Sequence, residues 1–300
     1  MSPLFGAVEA GGTKFICAIG TGPDDLRAQV RIDTDVPDVT LQQVCCFFDD
    51  AAAEFGSIAA IGVACFGPLD LEPSSPTYGH ITSTPKPGWA NTDIVGHLAE
   101  ALGVPVGFDT DVNAAVLGRP DGKRASACTA CSISQWAPAS GGGGAMIDGR
   151  ILHGRMHPEM GHIPIHHDRE QDPYEGCCPY HGDCLEGLAS GPALRHRWGT
   201  SADELAADHD AWRLEVIYLG RALATFILTL SPQRVLLGGG VMDQQHLLPL
   251  ARQQTVRALD GYLRLPELHD EGLDTFITAP GLGSIDGICG ALALAENVAA

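Results

Sequence analysis

From Leu4 the chain reads LFGAVEAGGTKFICAIG, two apolar runs of strand length joined by a turn at Gly11 and Gly12. Apolar residues at almost every position mark strands buried on both faces. LQQVCCFFDDAAAEF has the spacing of an amphipathic helix, and the apolar strand IAAIGVACFG after it stops at Gly67-Pro68. The proline-rich loop EPSSPTYGHITSTPKPGW leads to a helix predicted over about residues 91–102 and a strand PVGFDTD. The second half starts from a glycine-rich turn into GAMIDGRIL, runs through a Cys/His-rich insertion, and continues in a long helix, AWRLEVIYLGRALATFILTL. A strand RVLLGG, a helix, a strand DTFITAP and a closing Ala/Leu/Ile helix complete it. The order of elements is similar in the two halves, so the pattern predicts an α/β chain of two lobes with a cleft between them. Residues 1–115 form the first lobe, completed by the last helix at about 287–300. Residues 116–286 form the second, with the insertion at about 157–190.

A length of 300 residues exceeds what one core usually supports, which agrees with two lobes. The formal net charge of -19 argues against nucleic acid or an anionic membrane as partner, since both are polyanions. No stretch reaches the roughly 18 apolar residues of a membrane span, and the start lacks a basic leader, so a cytoplasmic protein is expected. Ten cysteines in such a protein do not suggest disulfides. The group Cys177, Cys178 and Cys184 is instead a metal candidate.

Three clusters carry candidate chemistry. EAGGTK, Glu9 to Lys14, ends an apolar strand with paired glycines that let backbone N–H groups approach an anion, while Thr13 and Lys14 add donors. Gly238, Gly239 and Gly240 repeat the device after the strand of the second lobe, which favours a nucleotide. In FDTDVNAA a strand runs into a helix at Asp109, Asp111 and Asn113. A carboxylate there faces the cleft of an α/β fold, so Asp111 is placed to accept a hydroxyl proton during phosphoryl transfer, and a helix cap is the plainer role. In HPEMGHIPIHHDREQDPYEGCCPYHGDCLEG, Cys178, His181 and Cys184 stand three apart, a spacing suited to tetrahedral zinc. His162 is the first candidate for fourth ligand, with His166 and His167 as rivals, and four protein ligands would make the metal structural. Glu159 and Glu186 flank this cluster as surface charges or hydroxyl acceptors. Cys128 and Cys131 form a CxxC without a second pair, which carries little weight.

Taken in order, EAGGTK, FGPLDL, SPTYGHITSTPKPGW, FDTDVN, HPEMGH, CPYHGDCLEGLASGP, LLGGGVM and PGLGSIDGICGALALA resemble the bacterial fructokinases of the ROK family across nearly the whole chain. The resemblance implies an actin-like (ribonuclease H-like) two-lobed sugar kinase with a zinc-binding insertion, moving the γ-phosphoryl group of ATP to the 6-hydroxyl of fructose, as a homodimer. Asp111 would be the general base. Gly67, Asn113, Glu159 and Glu186 would orient the sugar, helped by the loop at residues 85–89. Glu9, Gly11, Gly12, Thr13 and Lys14 would hold phosphates and Mg²⁺. Pro192, Gly238, Gly239, Gly240 and Val241 would border the nucleotide. His162, Cys178, His181 and Cys184 would bind Zn²⁺. Glucose, mannose or N-acetylmannosamine are alternative acceptors, and a sugar-responsive regulator or a zinc-stabilised sugar binder are alternatives outside catalysis.

One segment departs from the family. Where its second phosphate loop reads YLTVGTGIGGG, this chain has CSISQWAPASGGGG, with Trp136, Pro138 and no strand pattern. Permitted codons for Ser132 to Gly141, read from the third base, spell Tyr-Leu-Ser-Val-Gly-Thr-Gly-Ile-Gly, and the Trp136-Ala137 junction forces a glycine codon whichever Ala codon is used. Residues 119–140 are therefore expected to be an out-of-frame translation, which the gene's DNA sequence tests directly. Taken as written, they remove a strand and its phosphate donors and predict an impaired enzyme.

Overall fold

The computed structural model of the chain describes residues 2–118, 132–137, 142–280 and 286–300. The chain divides into two compact units, Met1–Gly122 with Ile151–Pro158 and Gly281–Ala300, and Lys123–Arg150 with Glu159–Pro280.

In the first unit, β1 (Leu4–Ala10), β2 (Lys14–Gly22) and β3 (Asp25–Asp33) form an antiparallel meander. Helix α1 (Pro37–Phe55) leads to β4 (Ile58–Cys65). The short pair β5 (His80–Ile81) and β6 (Thr92–Asp93) precedes α2 (Ile94–Leu102), β7 (Val106–Thr110) and α3 (Asp111–Leu117). The sheet order is β3-β2-β1-β4-β7, with β1, β4 and β7 parallel. Because successive side chains alternate faces, Val8 and Ala10 pack with Phe48, Leu41 and Leu98 on one side. Phe5 and Ala7 pack on the other with Ile288, Ala291 and Leu292 of the closing helix α9 (Asp286–Ala299). That helix lies so close that a Cβ on Gly62 of β4 would sit 1.8 Å from the Ala291 carbonyl oxygen, and one on Gly107 of β7 2.4 Å from that of Leu294. Only glycine fits at either place.

In the second unit, β8 (Ser132–Ala137) lies between β9 (Gly142–Ile147), antiparallel to it, and β11 (Arg234–Leu236), parallel. The edges are β10 (Arg150–Ile151) and β12 (Ile277–Thr278), giving the order β10-β9-β8-β11-β12. Short helices α4 (Leu185–Leu188) and α5 (Gly191–Trp198) precede the long α6 (Ala211–Leu230). Helix α7 (Leu247–Leu259) packs against α6, and α8 (Asp270–Phe276) precedes the last strand.

Several sequence expectations change. The helix expected from about residue 91 begins at Ile94, because Asp93 caps it by accepting the Gly96 N–H at 2.7 Å while Thr92 and Asp93 pair as β6. DTFITAP is strand only at Ile277–Thr278, and the residues before it are helical. The segment at 132–137, expected not to form a strand, pairs on both sides, Ile133 with Val235 and with Ala145. Ladder bonds are made by main chain, so a slot between two strands accepts side chains of weak strand propensity. The remainder of the altered loop, residues 119–131 and 138–141, lies outside the described residues, as do 281–285 of the closing motif.

Candidate functional site

The strand β7 delivers Asp109 and Thr110, and α3 starts at Asp111. The cap of that helix is Thr110, whose hydroxyl accepts the Asn113 N–H at 3.1 Å. The two carboxylates beside it are thereby left for other work. Asp109 is buried, and its Oδ1 accepts the Thr110 N–H and the Asn113 Nδ2–H, each at 2.7 Å. Since the amide of Asn113 gives its N–H to Asp109, its Oδ1 is turned elsewhere, buried and without a partner among the described residues. Asp111 accepts the Val112 N–H at 2.8 Å. Burial, and next the carboxylate of Glu9, push its carboxyl up to about 7. A carboxylate of that strength takes up a proton readily near neutrality.

Gly67 precedes a cis bond to Pro68 in the same unit, and a Cβ there would lie 3.4 Å from His157 Cε1. Trp89 is fully buried, meets Phe15 with a tilted ring and Phe66 edge-on, and gives its indole N–H to the Asp35 carbonyl at 2.8 Å, so it is a core residue.

The turn between β1 and β2 closes with the Gly11 N–H on the Lys14 carbonyl at 2.9 Å, and Thr34 ties down the Gly11 carbonyl at 2.8 Å. A Cβ added at Gly12 would meet nothing within 4 Å, and Thr13 and Lys14 are exposed. The turn is rigid below and open above, as an anion cradle requires. Glu9 sits under the first turn of α9, where a Cβ on Gly287 would come within 2.5 Å of its carboxyl carbon.

In the second unit, Gly238, Gly239 and Gly240 follow β11, and the φ of +98° at Gly239 is glycine-favouring. Gly240 opens on empty space. Val241 instead puts its side chain into the core with Leu194 and Trp212, leaving only its backbone to border a ligand. Pro192 is exposed at the start of α5, whose cap is Ser190, accepting the Ala193 N–H at 3.1 Å.

The ligand atoms of His162, Cys178, His181 and Cys184 all lie within 4.8 Å of one another. His162 Nδ1 is 3.7 Å from Cys178 Sγ and 3.6 Å from Cys184 Sγ, and His181 Nδ1 is 3.7 Å from Cys178 Sγ. Tetrahedral zinc, with Zn–S of about 2.3 Å and Zn–N of about 2.0 Å, gives S···N edges of about 3.6 Å. The donor set therefore fits such an ion. Glu186 stands on the other side of His162, its Oε2 at 3.0 Å from Nε2, the carboxylate–imidazole contact that orients metal-binding histidines.

Sequence comparison decides the family. The ROK family matches residues 5–298. The chain belongs to the ROK family. Its similarity extends to the fructokinase of Zymomonas mobilis subsp. mobilis, 43% identical over 298 residues, covering 97% of this chain and 96% of that one. The fructokinase of Pediococcus pentosaceus is 36% identical over 301 residues, covering 98% of each. Among solved structures, the ROK hexokinase of Thermus thermophilus superposes with a TM-score of 0.75 at 26% identity, covering 98% of both chains. The fold of this ROK protein is the actin-like α/β fold of its family.

Within this ROK chain the donor cluster contains His162 and neither rival. His167 is buried between Asp183, 3.0 Å from Nδ1, and the Asp172 carbonyl, 2.9 Å from Nε2. Asp172 is the centre of a buried network that also holds the Tyr218 hydroxyl and, at 2.9 Å, Arg197 Nη2. Sequence reasoning missed His153, which reaches Asp109 across 44 positions at 3.0 Å.

Proposed function

We propose that this ROK protein is a fructokinase, transferring the γ-phosphoryl group of ATP to the 6-hydroxyl of fructose with Asp111 as general base. The carrying observation lies where β7 runs into α3: a carboxyl raised to about 7 at Asp111 and, two positions on, Asn113, whose buried Oδ1 lacks a donor among the described residues. One sugar hydroxyl would donate to Asn113 Oδ1, and a second, the one to be phosphorylated, would give up its proton to Asp111. Relatives named fructokinase at 36–43% identity over nearly the full length support the sugar-kinase class and favour fructose within it.

In this reading Gly67, Asn113, Glu159 and Glu186 bind the hexose. Gly11, Gly12, Thr13 and Lys14 receive phosphates, with Glu9 towards the Mg²⁺ shell, while Gly238, Gly239, Gly240, the Val241 backbone and Pro192 border the nucleotide. Mg²⁺–ATP supplies the phosphoryl group and neutralises its charge, and the chain's own residues position and deprotonate the acceptor. His162, Cys178, His181 and Cys184 hold a structural Zn²⁺. The same reading makes the protein a cytoplasmic homodimer.

Coupled ADP release with fructose, mannose, glucose and N-acetylmannosamine tests the assignment. Fructose should give the highest kcat/KM, and Asp111→Asn should remove turnover. A second reading, a sugar binder without turnover, is favoured by the altered segment at 119–140. ATP and fructose binding without ADP release would select it.

A further inference from the structure

The chain leaves β10 and runs through residues 151–158, which belong to the first unit, and two histidines fasten this segment there. His157 is buried, and its Nε2 accepts the Leu69 N–H at 2.9 Å. Burial lowers its pKa, which suits a neutral acceptor. Four residues earlier, His153 turns to the carboxylate of Asp109, with Nε2 at 3.0 Å from Oδ2 and 3.3 Å from Oδ1.

Asp109 thus holds two side chains at once. It takes the amide N–H of Asn113, which turns Asn113 Oδ1 away, and the Nε2–H of His153, which fixes the imidazole plane and leaves Nδ1 as the outward nitrogen. The two side chains touch, Asn113 Nδ2 being 3.3 Å from His153 Nε2. Asn113 Oδ1 has no partner among the described residues, and the His153 side chain is 39% exposed while Asp109 is 5% exposed. Asp109 also raises the pKa of His153, favouring a proton on each ring nitrogen. A buried acceptor and an adjacent, partly open imidazole, oriented by one buried carboxylate, form a built polar corner. Asp111 lies two positions in sequence from Asp109, in β7, and two from Asn113, in α3.

We propose that His153 is a further hexose ligand, contacting a hydroxyl other than the one phosphorylated, and that Asp109 is the positioning residue that aims His153 and Asn113 at the sugar together. This rests on the fructokinase reading for the nature of the ligand. Asp109 itself meets no substrate. It acts through the two groups it holds.

Steady-state kinetics of His153→Ala, His153→Gln and Asp109→Asn test this, using fructose and its singly deoxygenated analogues. His153→Ala should raise KM for fructose about tenfold or more, as loss of a hydrogen bond to a charged group does, with KM for ATP unchanged. His153→Gln, which keeps an N–H donor, should recover part of that loss. One deoxyfructose should be as poor a substrate for the wild type as for His153→Ala, because each removes the same contact. Asp109→Asn should raise KM for fructose and blunt that same discrimination. A purely structural role would change both KM values and the melting temperature instead. Equal KM for fructose in wild type and His153→Ala, or losses that multiply for every analogue, overturns the inference while leaving the fructokinase reading intact. Absence of ADP release by the wild type with any hexose overturns that reading alone. Calorimetric titration of fructose then decides the inference, since a weaker Kd in His153→Ala supports it, and equal Kd or no binding overturns it.

Discussion

Replacing Asp111 by Asn should stabilise the protein while abolishing catalysis, and the gain should depend on pH in a defined direction. The carboxyl titrates at about 7 in the folded chain against 3.8 when unperturbed, first because it is buried and then because Glu9 is close. Between these values the folded state keeps a proton that the unfolded state has released, so stability falls as pH rises through that window. At about 1.4 kcal/mol per pH unit the full difference is about 4 kcal/mol above pH 7. The side chain keeps part of its surface open to solvent, and screening there brings the expected value to about 2 kcal/mol. Asn retains the oxygen that accepts the Val112 N–H and carries no charge, so it escapes the penalty. Thermal melts of wild type and Asp111→Asn at about pH 4 should coincide, and at about pH 9 the variant should melt roughly 4–8 °C higher. In the same pH series kcat/KM of the wild type should rise through about 7 as the base ionises. A variant no more stable than wild type at high pH, or stabilised equally at every pH, refutes the argument that Asp111 is held above its ordinary pKa by its surroundings.

Gly12→Ala places a methyl group in open space, so the melting temperature should hold while KM for ATP rises about tenfold or more if phosphate occupies that space; unchanged nucleotide kinetics would remove the turn from the site. Gly62→Ala should destabilise by about 2 kcal/mol or more in urea unfolding, because α9 must lift off the sheet, and wild-type stability would contradict that close approach. Colorimetric metal release should find about one Zn²⁺ per chain, lost in Cys178→Ser together with several degrees of melting temperature; metal-free protein of equal stability would refute a structural ion. Asp172→Ala leaves Arg197 buried without its carboxylate and should cost about 3–5 kcal/mol of unfolding free energy, measured by denaturant titration, whereas a cost under about 1 kcal/mol would show the network to be solvated.

What the sequence made legible, and what it hid, follow from the range of the interactions involved. The apolar runs of β1 and β4 could be read directly because both of their faces are covered, whereas β3, DLRAQVRID, was missed. As an edge strand it alternates exposed and half-buried positions and carries charges, which weakens any period-2 signal. The zinc candidates Cys178, His181 and Cys184 were legible because three ligands fall within seven residues, so spacing alone sets their proximity. The choice of His162 over His166 and His167 was not, since it depends on which ring the fold brings to the two thiols and on Asp183 and Asp172 engaging His167. The polar corner beside Asp111 was half legible: β7 and α3 supply Asp109, Asp111 and Asn113 in five consecutive positions, while His153 arrives from forty residues further on. No periodicity in LHGRMH distinguishes a histidine that anchors to Leu69 from one that reaches Asp109. Local chemistry thus predicts the reacting carboxylate, but the second side chain that Asp109 holds is set by where a crossing segment lands, and only the folded chain reveals it.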